Sequence, residues 1–212
     1  MVRTRRELAI FLSQLEVFEK PNVRLEQYPS DGQVAATLLW QAAINGDIED
    51  KHILDLGSGT GILGIGALLL GAKKVTFVDI DPSVLKILKK NFEFLKENWE
   101  IDIKNKWEFV NTTVESLMIK QDENMVVIMN PPFGTKAKHA DKKFLETAIK
   151  YSPSIYSMHK TSTKGFLEAF SKDNNYDLYW VEDMSFPIKQ TMAEHRKKIE
   201  RIKVSIIGME RN

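Results

Sequence analysis

HILDLGSGTG, residues 52–61, is an apolar run followed by three glycines at alternating positions. Glycine allows a tight backbone turn and close approach to a ligand, because it has no side chain. A helical pattern starts at about Ile62, and the first turn of a helix presents unpaired backbone amides. A strand, a glycine-rich turn and a helix in this order predict an α/β sheet that binds a ligand beyond its strand ends.

Strands and helices alternate through the rest of the chain. The helix after the second strand is predicted from Pro82 to about Lys96, with Asp81 as its N-cap. This order predicts a seven-stranded, mostly parallel sheet with helices on both faces. The last two strands leave no room for a crossover helix, so the last strand is predicted to be antiparallel. Predicted strands are 52–56, 74–80, 107–110, 125–129, 154–158, 176–184 and 201–209; further helices start at about 62, 141 and 161.

Two helices, at about 5–18 and 33–44, precede the first strand, and a proline-containing segment at 20–32 joins them. A length of 212 residues suits one domain. We therefore predict a single domain at 1–212, with an N-terminal helical extension at 1–50 and an α/β core at 51–212.

Composition narrows the class of protein. The chain is 43% hydrophobic, enough for a buried core. Its longest apolar run, residues 62–70, is shorter than the roughly 18 residues that span a bilayer, so no membrane association is expected. The chain has no cysteine, which excludes internal disulfides and thiolate metal sites. An intracellular, cytoplasmic location and the absence of a metal site are the resulting expectations.

Charge is balanced overall and uneven locally. The net charge of +1 gives no support for nucleic-acid binding. Basic residues nevertheless collect around 136–143 and 189–203. Each run is either a solvated face or a set of phosphate contacts.

Two acidic residues end neighbouring predicted strands. Asp55 precedes the glycine turn, where it can accept hydrogen bonds from a cationic amino group such as that of S-adenosylmethionine. A pyrophosphate binder has no use for an anion at that place. Asp79 ends the second strand, where a carboxylate can accept from ribose hydroxyls. Loop and acids together favour an S-adenosylmethionine site over a tight turn with a capping Asp.

The fourth predicted strand ends in Asn130-Pro131-Pro132-Phe133. The prolines fix the backbone and remove two amide donors. The Asn130 side-chain oxygen and the Pro131 carbonyl are then free to accept both hydrogens of a planar, conjugated amine, which localises the nitrogen lone pair. Phe133 can stack on an aromatic base. The alternative is a strand-terminating turn with a buried phenylalanine.

Both motifs resemble those of Rossmann-like class I methyltransferases. The glycine turn is similar to their first motif, and Asn130 to Phe133 is similar to the N-P-P-[FY] motif of enzymes that methylate planar amines and amides. That motif does not by itself separate adenine, guanine and glutamine substrates. Many members carry an acid just after the third strand, where this chain has Thr113 and no acid until Glu115.

Three further segments narrow the resemblance. They are FEKP at 18–21 with LEQYPS at 25–30, NPPFGTK at 130–136 and YSMHKTST at 156–163. Together with the glycine turn, they resemble the methyltransferase-like 5 family over nearly the whole chain. That family methylates one adenine of small-subunit ribosomal RNA. In eukaryotes its members pair with a small zinc-binding adaptor on an edge strand, so such a partner is a further expectation.

The resemblance implies that Gln27 and Ser30 close over the cofactor from the extension, and that Thr60, Ile62 and Val114 line its pocket. The expected catalytic residues are Asn130, Pro131, Pro132 and Phe133. The expected cofactor residues are Gln27, Ser30, Asp55, Gly57, Ser58, Gly59, Thr60, Gly61, Ile62, Asp79, Ile80, Thr113, Val114 and Asn130. The expected RNA-binding residues are Lys136, Lys138, His159, Lys160, Arg196, Lys197 and Lys198.

The predicted function is therefore methyl transfer from S-adenosylmethionine to the N6 amine of an adenine in RNA. A protein glutamine N5-methyltransferase shares the catalytic turn, but that family usually has a longer N-terminal helical domain. A non-catalytic RNA-binding scaffold is expected to lose Asp55, Asn130 or Phe133, and all three are present.

Overall fold

The structure, a computed structural model, describes residues 2–22, 25–27, 30–101, 103, 105–133, 140–189 and 199–212. Its seven strands form one sheet in the order β3-β2-β1-β4-β5-β7-β6. β7 runs antiparallel to both of its neighbours and the other six strands share one direction, which confirms the predicted sheet and its antiparallel last strand. The strands are β1 (His52–Leu56), β2 (Lys74–Asp79), β3 (Trp107–Asn111), β4 (Met125–Met129), β5 (Ser154–Lys160), β6 (Tyr176–Lys189) and β7 (Ile199–Arg211).

Six α-helices surround the sheet in the described part of the chain. They are α1 (Arg5–Leu12), α2 (Gly32–Ile44), α3 (Ile62–Leu69), α4 (Val84–Trp99), α5 (Ala140–Tyr151) and α6 (Lys164–Asp173).

Several predicted helix boundaries are wrong: the helix after β2 ends at Trp99 rather than Lys96, and α6 begins at Lys164 rather than Thr161. The first helix ends at Leu12 rather than Phe18, and the Ser13 hydroxyl donates to the Ile10 carbonyl at this end. The helix after β2 begins at Val84, because Asp81 accepts from the Ser83 amide and caps a preceding turn instead.

The core has two layers, one on each face of the sheet. On one face, Leu8 of α1 and Leu38 of α2 belong to the same buried cluster as Ile65 of α3 and Phe77 of β2. On the other face, β1 and β4 pack against α5 and α6. The N-terminal extension thus shares its core with the sheet. Among the described residues, none of the helices has the length and apolarity needed to cross a membrane.

The β6–β7 hairpin is longer than the strands beside it. The β5–β7 ladder ends at Lys160 and Val204, at the carboxyl end of β5. The β6–β7 ladder continues for five more pairs, from Ser185–Lys203 to Lys189–Ile199. We call residues 185–189 and 199–203 the hairpin arm. At roughly 3.4 Å per residue the arm extends about 17 Å past the sheet, on the side where the parallel strands end.

Candidate active site

A cavity of about 500 Å³ lies at the carboxyl ends of β1, β2 and β4. Its volume is typical of small-molecule sites. Thirteen of the fourteen expected cofactor residues line it: Gln27, Ser30, Asp55, Gly57, Ser58, Gly59, Thr60, Ile62, Asp79, Ile80, Thr113, Val114 and Asn130. Gly61, the fourteenth, is the N-cap of α3 instead. The sequence motifs therefore converge on one place in the fold.

The glycine turn fits closely against its surroundings. Gly57 has a φ of +66°, and a Cβ there would lie 2.8 Å from the ring of Phe144. Gly61 has a φ of +85°, and a Cβ there would lie 2.3 Å from the Leu88 side chain. Backbone conformation and space both require glycine at these two positions. The turn can therefore hold its backbone amides at the cavity wall.

Asp55 is a buried carboxylate at the end of β1, with 1% of its surface exposed. Its Oδ2 accepts from the Gly64 amide at 2.9 Å, inside α3. Burial raises the pKa of Asp55 to about 7, an effect that the Gly64 hydrogen bond opposes and the Asp79 charge adds to. A cationic ligand group would relieve this desolvation by stabilising the carboxylate.

Asp79 is held by the backbone on both oxygens. Oδ2 accepts from the Gly59 amide at 2.8 Å, and Oδ1 accepts from the Asp81 amide at 2.9 Å. Burial raises the pKa of Asp79, and these hydrogen bonds act in the opposite direction. Next to it, Ile80 is 51% exposed, an unusual amount for a large apolar side chain. The Asp79 carboxylate, held in place by these bonds, and the exposed apolar side chain of Ile80 together suit a nucleoside.

Ser58 adds a polar group without a partner. Its hydroxyl is buried and makes no hydrogen bond within the described part of the chain. A buried polar group without a partner is costly. Because Ser58 lines the cavity, a polar ligand there can supply the missing hydrogen bond.

We call residues 16–31 of the extension the strap, and its described residues contact the chain near these strand ends. The Glu16 amide donates to Asn91 of α4 at 2.7 Å. Gln27 donates from Nε2 to Asp81 at 2.8 Å, next to the end of β2. Ser30 accepts from the Asn130 side-chain amide at 2.8 Å, at the end of β4. Within its described residues, the strap is therefore bonded to α4, to Asp81 beside the end of β2, and to Asn130 at the end of β4.

Asn130 of the Asn130–Phe133 turn lines this cavity and carries a buried acceptor. Asn130 Nδ2 is bound to Ser30, whereas Oδ1 is buried and has no partner among the described residues. Pro131 is buried, and Pro132 lines the cavity. Phe133 is 9% exposed and belongs to the core cluster, with the Lys160 ammonium 5.9 Å from its ring centre. The stacking surface expected of Phe133 is thus largely covered in this conformation.

His159 has a different environment from the one expected of an RNA-binding residue. It is 1% exposed, and its Nε2 is hydrogen-bonded to the buried Ser157 hydroxyl. Burial lowers its pKa to about 3, and Asp141, 3.9 Å from Nδ1, is too distant to form a hydrogen bond. The expectation of a direct RNA contact by His159 is at odds with this burial, which suits a structural histidine. Lys136, Lys138, Arg196, Lys197 and Lys198 lie outside the described residues.

Several cavity residues were not anticipated from the sequence. Phe18, Glu26 and Phe144 line the cavity, as do Glu115 and Lys143, which form an ion pair of 2.6 Å. Phe144 and Lys143 come from α5, whose helical pattern carries no motif. Thr113, expected in place of the usual acid, accepts from the Ser116 amide, so its oxygen is already engaged. In the described ranges, no group of three or more His, Asp or Glu residues is arranged to hold a metal ion.

This strand order, with a carboxylate after β1 and β2 and an Asn-Pro-Pro turn after β4, defines a Rossmann-like methyltransferase. Residues 14–172 match the family model described as conserved hypothetical protein 95. The chain is 34% identical to rRNA N(6)-adenosine-methyltransferase METTL5 of Danio rerio over 206 residues, 95% of this chain and 96% of that protein. The chain belongs to the methyltransferase-like 5 family.

Archaeal proteins are similar over the same length. An uncharacterized protein of Methanocaldococcus jannaschii is 34% identical over 211 residues, 98% of this chain and 94% of that protein. A crystal structure from Pyrococcus horikoshii, described as a candidate RNA methyltransferase, is 39% identical, with a TM-score of 0.87. That match covers 100% of this chain and 99% of the other. Extension, core and hairpin are therefore all included in the similarity.

Proposed function

We propose that this protein transfers a methyl group from S-adenosylmethionine to the N6 amine of an adenine in RNA, and that this RNA is ribosomal. The Danio rerio relative is named for that activity and is similar over nearly its full length. The single observation that carries the proposal is the buried Asn130 Oδ1, an acceptor without a partner in the described structure, on a residue that lines a nucleoside-sized cavity.

The residues at the cavity fit the cofactor. Asp55 would hold its cationic amino group, Asp79 its ribose hydroxyls, and the unpartnered Ser58 hydroxyl one of its polar groups. When bound, the cofactor supplies an electrophilic methyl group on a sulfonium. Each proposed contact matches a feature of the chain itself. Asp55 is a desolvated anion, Asp79 is a fixed acceptor, and Ser58 carries a buried hydroxyl without a partner in the described structure.

The catalytic turn would act on the target amine. The lone pair of an adenine amine is delocalised into the ring, so the nitrogen is a poor nucleophile. Asn130 Oδ1 and the Pro131 carbonyl can accept its two hydrogens and favour a pyramidal nitrogen. These hydrogen bonds strengthen as positive charge develops on nitrogen, so they stabilise the transition state more than the bound substrate. The methylated nitrogen is then acidic enough to release its proton to water.

A target in RNA would have to leave its stack to reach the cavity. Single-stranded loops and ends allow this more readily than A-form duplex. The hairpin arm extends on the same side as the cavity and includes the sequence positions Lys189, Arg201 and Lys203. We propose that the arm and its connection, with Lys136, Lys138 and Lys160, hold flanking phosphates without reading sequence.

Labelled S-adenosylmethionine with purified wild-type protein tests this function. We expect label in total RNA, as N6-methyladenosine, and none in total protein. Asn130→Ala should lower methyl transfer by more than about 100-fold, as the loss of one transition-state hydrogen bond commonly does. Cofactor affinity should stay nearly unchanged, because this side chain acts on the amine.

The matched control is Asn98→Ala, which removes an exposed asparagine of α4 that bonds only its own helix. It should retain full activity. Label in protein alone would favour glutamine methylation instead, and an active Asn130→Ala would remove Asn130 from the mechanism.

Three expectations accompany this proposal. Residues 1–50 close the cofactor site, for which the strap contacts are support. An adaptor on an edge strand stays a prediction from family resemblance alone, and β3 and β6 are the two edges of the sheet to which it would apply. A cytoplasmic location is likewise an expectation from composition.

A further inference from the structure

The Ser30 hydroxyl joins the N-terminal extension to the catalytic turn across 100 positions of sequence. We infer that Ser30 is a positioning residue, which holds the Asn130 amide so that Oδ1 faces the target amine. The inference rests on the proposed function, and it differs from the role in cofactor contact that family resemblance implies for Ser30.

The geometry of Asn130 gives the reason. A side-chain amide turns easily about its last bond, and a half turn exchanges its acceptor for its donor. An NH₂ group facing the cavity would oppose the hydrogens of the target amine instead of accepting them. The 2.8 Å bond from Nδ2 to Ser30 Oγ holds one end of the amide and leaves Oδ1 without a partner in the described structure, on a residue that lines the cavity.

Ser30 is itself firmly held. The next residue, Asp31, is the N-cap of α2 and accepts from the amides of Gln33 and Val34 at 2.8 and 3.3 Å. Seven of the thirteen residues of α2 are buried, so this helix is packed into the core. The Ser30 hydroxyl therefore extends from a fixed position at the start of α2. Through this hydroxyl, α2 orients the Asn130 side-chain amide, which can otherwise rotate.

Steady-state kinetics of Ser30→Ala test the inference. We expect kcat to fall about 10- to 100-fold, in line with the loss of orientation of one catalytic group, and the KM for S-adenosylmethionine to change less than threefold. Ser30→Thr keeps the hydroxyl and should restore most of kcat. Ser13→Ala is the matched serine control: this exposed residue of the extension donates to the Ile10 carbonyl and does not line the cavity, so kcat and KM should both be retained.

A second measurement does not depend on the substrate. The side-chain amide signal of Asn130 in a nitrogen–proton correlation spectrum can be assigned by its loss in Asn130→Ala. In Ser30→Ala this signal should shift and its protons should exchange faster with water. Ser30→Cys has a similar shape but is a weaker acceptor. If the alanine variant folds poorly, the cysteine variant should show the same shift and faster exchange of the Asn130 signal.

An unchanged Asn130 signal, or a Ser30→Ala enzyme that loses cofactor affinity at full kcat, would overturn the inference. If the proposed function is wrong, wild-type protein leaves RNA unlabelled, whereas the spectrum still reports on the Ser30–Asn130 bond. Failure of the inference and failure of the proposed function are therefore distinguishable.

Discussion

Burial removes the Asp55 carboxylate from water and raises its pKa to about 7. This raised pKa has a measurable consequence for ligand binding. A cationic ligand binds the ionised form, so binding should release a proton below pH 7. We predict that affinity for S-adenosylmethionine is highest between about pH 7 and pH 8, because the α-amino group of the ligand loses its own proton near pH 8, and that it falls about tenfold for each unit well below pH 7. Calorimetry between pH 8 and pH 5.5 measures this.

Asp55→Asn is the matched variant for that experiment, because it keeps the shape and removes the charge. Its affinity should be more than about tenfold weaker at pH 8, given the strength of charge-assisted hydrogen bonds. It should also lose most of the pH dependence. Equal affinity of wild type at both ends of the pH range would refute this role of Asp55.

His159 gives a second prediction, on stability. Its pKa is about 3 in the folded protein because burial disfavours the charged form, against about 6.5 when exposed. The unfolded chain therefore binds the proton more readily, and stability is lost as pH falls below 6.5. Each unit should remove at most about 1.4 kcal/mol from this residue. Urea unfolding at pH 7 and pH 5 should show a smaller loss for His159→Gln than for wild type.

At the residue scale, the sequence predicted the site residues whose side chains suit the chemistry and which stand at the ends of strands. Asp55, Asp79 and Asn130 each follow a strand that parallel neighbours bury, so their positions at the cavity follow from topology alone. The burial of His159 did not follow, because it depends on β7, which pairs with His159 from far along the chain. The same holds for Phe144, which approaches Gly57 from a helix without a motif.

At the scale of elements, α3 lies close enough to the sheet to require Gly64. A Cβ at this position would lie 2.3 Å from the buried ring of Phe77 and 2.9 Å from Val75. We predict that Gly64→Ala destabilises the fold by about 1–3 kcal/mol, the usual effect of overpacking. The control is Gly165→Ala on α6, where nothing lies within 4 Å. It should stabilise by up to about 1 kcal/mol. Denaturant unfolding that ranks the two variants in the opposite order would contradict this packing argument.

The boundaries of elements were less predictable than their order. Apolar residues continue at helical spacing past Leu12, so sequence alone extends α1 to Phe18. In the structure the chain turns at Ser13, and Phe18 lies at the cavity instead. The turn is a tertiary effect: Asn91 of α4 bonds both the amide and the carbonyl of Glu16.

At the scale of the whole molecule, the described part of the strap, the cavity and the hairpin arm all lie at the carboxyl ends of the parallel strands. Long-range contacts establish this arrangement, through Asn130–Ser30 at one end and the β5–β7 ladder at the other. The sequence indicated basic runs but not where they project. The length of the β6–β7 ladder beyond Lys160 places the strand ends that flank the second run, Lys189 and Ile199, at the end of the sheet where the cavity lies.

The last prediction concerns that run. Arg196, Lys197 and Lys198 connect the two strands of the arm in sequence, beyond the five ladder pairs that pass the sheet. If they bind phosphates, replacing all three with Ala should weaken RNA binding to every sequence alike. The slope of log affinity against log salt should flatten by roughly 0.7 for each phosphate of single-stranded RNA that the variant no longer neutralises. Turnover at saturating RNA should change much less, since these residues hold the RNA and do not touch the amine.

A matched charge change separates phosphate binding from bulk charge. Lys89 and Lys96 on α4 and Lys172 on α6 are exposed, and Lys96 and Lys172 lie near helix C-termini, away from the cavity side. Replacing these three with Ala removes the same charge but should leave the salt slope nearly unchanged. Salt titrations of wild type and both triple variants decide between the two interpretations of the basic run. Equal slopes and affinities in all three proteins would mean that the run is a solvated face, and that RNA is held elsewhere on the cavity side.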